Sequence, residues 1–235
     1  MEEKSTRFAI AEEFKRMVRE TSLSKVRVAD LIANMGINRN TFYYHYGSKM
    51  DVAYLIFRCD LHKCLEHNLP SSKLVYSECA LKDGSSRRLA YWTHVETGAR
   101  TLDNTAFFHS LVQCLNSDAT YYRKLFNPHE SEFQDYLVGI WTAAAKKDID
   151  FILSGRPMDA FSRNMLAYSA ACFVSASAGN CLRPEYRSVL ENPETYPYWN
   201  APFEGMRNAI ESNPAGTKEN PLASIYHWHP TSYNR

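Results

Sequence analysis

Arg39, Asn40, Tyr43 and Tyr44 stand at offsets of zero, one, four and five along the chain, a spacing that gathers them on one exposed face of a helix. Their chemistry suits hydrogen bonding to bases. An Arg guanidinium offers two donors to guanine O6 and N7, and an Asn amide matches adenine N6 and N7, both in the major groove. Thr41, Tyr44, His45 and Lys49 add hydroxyl, imidazole and ammonium donors suited to phosphate oxygens. Between them Phe42 is expected to point back toward Ile37 and a preceding helix. One face reads and the other packs.

Such a face needs a helix held at an angle to another. Leu31 and Ile32 fall on the inward stripe of a short amphipathic segment, and Gly36 follows Met35 where the chain must turn sharply. Asn38 is among the best N-caps, so a second helix is expected from there, with Arg39 and Asn40 in the first turn that meets base edges. Ser48 caps the following helix, whose positive N-terminal end carries Lys49. No acidic residue lies between Met35 and Ser48, so the expected contact surface does not repel phosphate.

The run GINRNTFYYHYGSKMDV resembles the helix-turn-helix block of the TetR/AcrR family of transcriptional regulators. The similarity extends through a first helix from about Thr6 to Glu20 and a connecting helix after Ser48, the first quarter of the chain. It implies an all-α homodimer whose N-terminal domains bind a palindromic operator in double-stranded DNA, and whose larger C-terminal domain holds an effector pocket and the dimer interface. By position, base-reading roles fall on Arg39, Asn40 and Tyr43, and backbone-contacting roles on Asn38, Thr41, Tyr44, His45 and Lys49. The implied division is a three-helix DNA-binding domain over residues 1–50 and a helical effector-binding and dimerisation domain over 51–235. The implied function is a repressor released by a small-molecule effector. An activator, or a DNA-binding factor without effector response, are the alternatives. Two positions depart from the family pattern. Arg27 stands where Ser or Thr usually caps the second helix, a cap worth about 1 kcal/mol, with Asp30 as partial compensation. Ile32 replaces the Ala common where the two helices cross.

Overall composition is neutral: Lys plus Arg 27 against Asp plus Glu 26 leaves a net charge of +1, so any affinity for nucleic acid must come from local charge. No apolar stretch is long enough for a membrane span, and the start MEEKSTR lacks a secretory apolar region, so a cytoplasmic protein with reduced thiols is expected. In CDLHKCLEH the helical positions of Cys59, His62, Cys64 and His67 spread over too wide an arc to share one tetrahedral ion. Without a phosphate loop, nucleophile elbow or zinc-hydrolase spacing, neither catalysis nor a cofactor is expected.

Helical patterns continue from about Arg87 to Thr101, Asn104 to Asn116, Ser131 to Ile152 and Asp159 to Leu182, with no alternating strand series. Small residues crowd the last of these, so dimerisation is assigned to it and to the Ser131–Ile152 helix. Among the mid-chain aromatics, Tyr91, Trp92, His94, His109, Trp141 and Tyr168 are the candidates to line an effector pocket. The tail from Asn192 mixes Tyr, Trp and His with prolines, and a final helix is expected over Phe203 to Ser212.

Overall fold

Ile10, Phe14 and Val18 recur at the spacing of one helical face, and all three are buried along α1 (Glu2–Glu20) in the computed structural model, which describes residues 2–80, 82, 84–127, 131–183 and 196–212. Leu31 of α2 (Val28–Met35), Phe42 of α3 (Arg39–His45) and Tyr46 close a small core against that face. The hydroxyl of Tyr46 donates to the Arg7 carbonyl at 3.2 Å, so even its polar tip is satisfied.

α4 (Lys49–Asn68) buries Val52, Ala53, Leu55, Ile56, Phe57, Leu61 and Leu65, which is apolar on nearly all sides. A helix of that kind belongs in the middle of a fold, and α4 touches α1, α5 (Thr105–Ser117), α7 (Ser131–Leu153) and the β-structure described below. Its Phe57 ring meets Tyr122, Phe133 and Trp141 edge-on, with centroids 6.3, 5.7 and 6.3 Å away. Polar ties reinforce the junction. Lys15 of α1 reaches Asp60 of α4 at 2.9 Å, and that carboxylate also accepts from Tyr122 of α6 (Ala119–Leu125). Arg19 pairs with Asp118, the N-cap of α6.

The chain is predominantly helical, as expected, but one helix is not there. Residues expected as a helix over Arg87–Thr101 instead lie in strands: β2 (Ser86–Thr93) pairs antiparallel with β1 (Leu74–Ala80), and β3 (Glu96–Gly98) with β4 (Thr101–Leu102). The reason lies in burial. Leu89, Ala90, Tyr91, Trp92 and Thr93 are all buried, so β2 is enclosed on both faces and shows no polar–apolar alternation. A continuous apolar run of that length cannot be told from a helix by periodicity. Cross-strand pairing sets Glu78 opposite Arg88, and Arg58 of α4 anchors the hairpin from beneath, donating to Ser77 Oγ at 2.9 Å and stacking on Tyr91 at 5.3 Å.

α7 and α8 (Ala160–Cys181) pack side by side, and the small residues of α8 explain why. Ala167, Ala170, Ala171, Ser175, Ser177 and Ala178 are buried within the subunit, and Ala144 and Ala145 of the neighbouring α7 are buried as well. Small side chains here serve close approach inside one chain, and the large apolar residues that α8 leaves exposed are Phe161, Met165 and Tyr168. Asp159 caps α8, accepting from the Ser162 amide at 2.8 Å. The final helix is longer than expected, α9 (Tyr196–Ser212), and contains Pro202. Asn200 fastens it: its side chain accepts from the Asn104 amide at 2.9 Å and donates to Asp103 and Thr105 at 2.8 Å each. The remainder of the aromatic tail, residues 192–195 and 213–235, lies outside the described residues.

Candidate nucleic-acid interface

The turn between α2 and α3 has the geometry its residues predict. Gly36 sits at φ 62° and ψ 23°, the left-handed region that costs glycine least, and its amide donates to Ala33 while that of Ile37 donates back to Ile32. Asn38 caps α3: its side-chain oxygen accepts from the Thr41 amide at 2.8 Å and from the Thr41 hydroxyl at 3.0 Å. The cap of α2 is missing, again as the residue type implies. Arg27 makes no capping hydrogen bond, and its guanidinium turns to Asp30 at 2.8 and 3.0 Å.

Arg39, Asn40 and Tyr44 stand exposed on α3. Phe42 is fully buried beneath them, so the two-faced reading of this helix holds in space. Tyr43 is half-buried, with its ring under two cations: the Arg39 guanidinium at 5.3 Å and the Lys82 ammonium at 5.5 Å. Stacking of this kind is worth about 0.5–1 kcal/mol at an exposed site, and here it holds Arg39 over a fixed platform. Lys82, at the tip of the β1–β2 hairpin, has no sequence signal linking it to α3; the turn-rich KDGSS run marks only a loop, and the pattern after it predicts a helix where β2 lies.

Four residues expected on phosphate are already occupied or turned away. Asn38 and Thr41 are joined in the cap. His45 is buried, 4% exposed, with its ring edge-on to Tyr44. Lys49 is the clearest departure: its ammonium donates to the carbonyls of Leu23, Ser24 and Val26 at 2.7, 3.3 and 3.0 Å, closing the α1–α2 loop from the start of α4. That start is set by a capping box, in which Ser48 Oγ accepts from the Asp51 amide at 3.2 Å and Asp51 accepts from the Ser48 amide at 3.0 Å. Lys49→Ala is therefore expected to remove about 1.5–3 kcal/mol of stability, the scale of a charged hydrogen bond, and to leave the salt dependence of DNA binding unchanged. Thermal melts and binding titrations at several salt concentrations check this; a salt slope that falls by about one with no change in melting would return Lys49 to the phosphates.

The six aromatic and histidine residues suggested for a ligand pocket are not brought together. Trp92 and Trp141 sit in the core on either side of Phe107, with Trp92 Nε1 donating to Asp148 at 2.9 Å. Tyr91 is buried under Arg58. His94 Nε2 lies 3.1 Å from Glu96 at the edge of the fold, and His109 and Tyr168 face solvent. None of the six lines the cavity found between the β3–β4 turn, α7 and α9.

Along the Cys59–His67 stretch the side chains have separate duties: His62 Nδ1 accepts from the Ala90 amide at 3.1 Å, and Cys59 lies 3.5 Å from Arg87. Among the described residues no three His, Cys, Asp or Glu side chains gather as a metal site, and no helix is long and apolar enough to cross a membrane.

No family model matches the chain, and no curated protein matches it. Among solved structures it is similar to the dihydroxyacetone kinase operon activator DhaS, at 13% identity and a TM-score of 0.46 over 88% of this chain and 97% of that one. It is also similar to the TetR family protein CprB from S. coelicolor A3(2), at 11% identity and a TM-score of 0.35 over 91% of this chain and 100% of that one.

Proposed function

We propose that this chain is a sequence-specific DNA-binding transcriptional regulator, reading double-stranded DNA with α3 and acting as a repressor released by a small-molecule effector. The observation that carries the reading is the exposed first turn of α3. Asn38 caps it, Gly36 sets its angle to α2, and Arg39 and Asn40 project from it with no competing acidic side chain on that helix. A helix presented in this way fits the major groove, and its N-terminal residues reach base edges. Tyr44 contacts the phosphate backbone beside them, and Lys82 adds a cation from the hairpin tip. Residues 1–50 form the reading unit and 51–235 the regulatory and dimerisation unit.

A palindromic site requires two reading helices, and the second copy docks on the exposed stripe of α8. Phe161, Met165 and Tyr168 follow one another at i, i+4 and i+7 and are 74%, 48% and 54% exposed, a row of large apolar groups that a partner helix would cover. Replacing Phe161 with Asp is expected to weaken self-association by about 2 kcal/mol or more, the scale of an interface hot spot. Sedimentation across a concentration series reads this directly, and an unchanged dimer would move the interface elsewhere.

Selection of bound duplexes from a random library tests the function itself. Enrichment of a two-fold symmetric site supports the reading. Binding that follows salt but not sequence would leave a general DNA-binding protein in its place.

A further inference from the structure

A cavity of about 230 Å³ lies between the β3–β4 turn, the start of α5, the last turns of α7 and α9. Four residues on its wall carry a buried polar atom that finds no hydrogen-bond partner among the described residues: Arg100 Nη2, Asn104 Nδ2, Asp148 Oδ1 and Arg207 Nε. Buried polar groups in folded proteins are almost always partnered, so four around one hollow mark a place built to be filled.

Glu204 also lines the cavity but is exposed, whereas the less exposed carboxyls beside the four open atoms are engaged. Asp103 is held by Asn200 and the Thr105 amide. Asp148 Oδ2 accepts from Trp92, and this carboxyl is 1% exposed, with burial pushing it up to about 7. The nearest carboxylate to Arg100 Nη2 is that of Glu211, at 3.8 Å, beyond hydrogen-bonding distance. Arg100 is also one of the two non-glycine residues in the left-handed region among the described residues, at φ 62°. Such a conformation costs about 1–3 kcal/mol and persists where the surroundings demand it; here the Arg100 Nε–H is tied to the Ile152 carbonyl, which keeps the guanidinium on the cavity wall.

Three of the four open atoms are donors, two of them on guanidinium groups, and the fourth belongs to a carboxyl that can accept or, when protonated, donate. The complement is a small molecule rich in acceptors at one end with a hydroxyl at the other. We infer that this cavity binds a small hydroxycarboxylic acid, its carboxylate held by Arg100, Arg207 and Asn104 and its hydroxyl hydrogen-bonded to Asp148. The volume is below the roughly 300–1,000 Å³ of drug-sized sites, which suits a metabolite of a few carbons. Its role as the effector site rests on the regulatory reading above, whereas binding itself does not. A physical route to α3 exists: Asp148 holds Trp92 near one end of β2, and the loop at the other end of that strand carries Lys82 over Tyr43.

Calorimetric titration of the full chain with L-malate, and separately with glycerol as a hydroxylated probe lacking the carboxylate, tests the inference. Malate is expected to bind once per chain and glycerol not at all. Arg207→Gln should weaken malate binding by about tenfold or more, the loss of one charged hydrogen bond, and Asn104→Ala provides an independent second variant. Circular dichroism melts confirm that each variant is folded. Absence of malate binding, equal binding of glycerol, or unchanged affinity in both folded variants overturns the proposal. Malate binding in a chain that selects no DNA sequence keeps the site and removes its regulatory role, so the two failures are distinguishable.

Discussion

Phe57→Ala is expected to lower stability by about 3–5 kcal/mol, the range for removing a large aromatic ring from an enclosed site. Phe57 is fully buried and met edge-on by Tyr122, Phe133 and Trp141, rings from two other helices. Those rings are themselves fixed, Tyr122 by its hydrogen bond to Asp60 and Phe133 by a further edge contact with Phe126. The hole left behind therefore cannot close by local collapse. Against a total of about 5–15 kcal/mol for a typical domain, such a loss is severe, and at this chain length it corresponds to roughly 6–20 °C in melting temperature. Phe57→Leu should lose less than half as much. A calorimetric drop below about 1 kcal/mol for the Ala variant would mean that the ring is not enclosed as described.

The second large effect is expected on binding. A good bidentate contact to a base contributes about 1–3 kcal/mol of discrimination, so the double substitution Arg39→Ala, Asn40→Ala should remove about 2–6 kcal/mol of preference for the selected site. Affinity for unrelated sequences should change far less, because that part of binding comes from phosphate contacts. The fold should be untouched, since both side chains are exposed and neither is needed for the Asn38 cap or the buried Phe42. Competition titrations with matched and scrambled duplexes separate the two terms. Equal weakening on both duplexes would assign Arg39 and Asn40 to the backbone of the DNA instead. Tyr43 gives a finer version of the same test: without its ring, Arg39 loses the platform 5.3 Å beneath it, and discrimination should fall by about 0.5–1 kcal/mol.

What could be read in advance follows the range of the interactions involved. The turn at Gly36, the caps at Asn38 and Ser48 and the inward Phe42 each depend on residues close to one another in the chain, and local sequence carries that information. The uncapped start of α2 at Arg27 was legible for the same reason. The hairpin was not, because β2 owes its conformation to enclosure by α4 and α5, and full burial erases the alternation that marks a strand. Lys49 shows the limit of type-based assignment. An ammonium at a helix start suits a phosphate, but three loop carbonyls within 3.3 Å claim it first, and nothing between Leu23 and Lys49 announces that convergence. The small residues of α8 were visible as a surface for close packing, but which helix approaches it is a property of the whole fold. The polar cavity had the weakest signal of all, since its open atoms come from positions 100, 104, 148 and 207 and no short stretch contains two of them beyond the first pair.

Asn200 links α9 to the start of α5 across 96 positions of chain with a single amide that serves three partners. This has a consequence for the order in which the molecule becomes competent during synthesis. The helices α1 to α3 and their supports emerge early, whereas the cavity gains its last wall only when α9 docks. On the proposed function, a chain cut short before Tyr196 is expected to keep its binding to DNA and to lose its response to the small molecule.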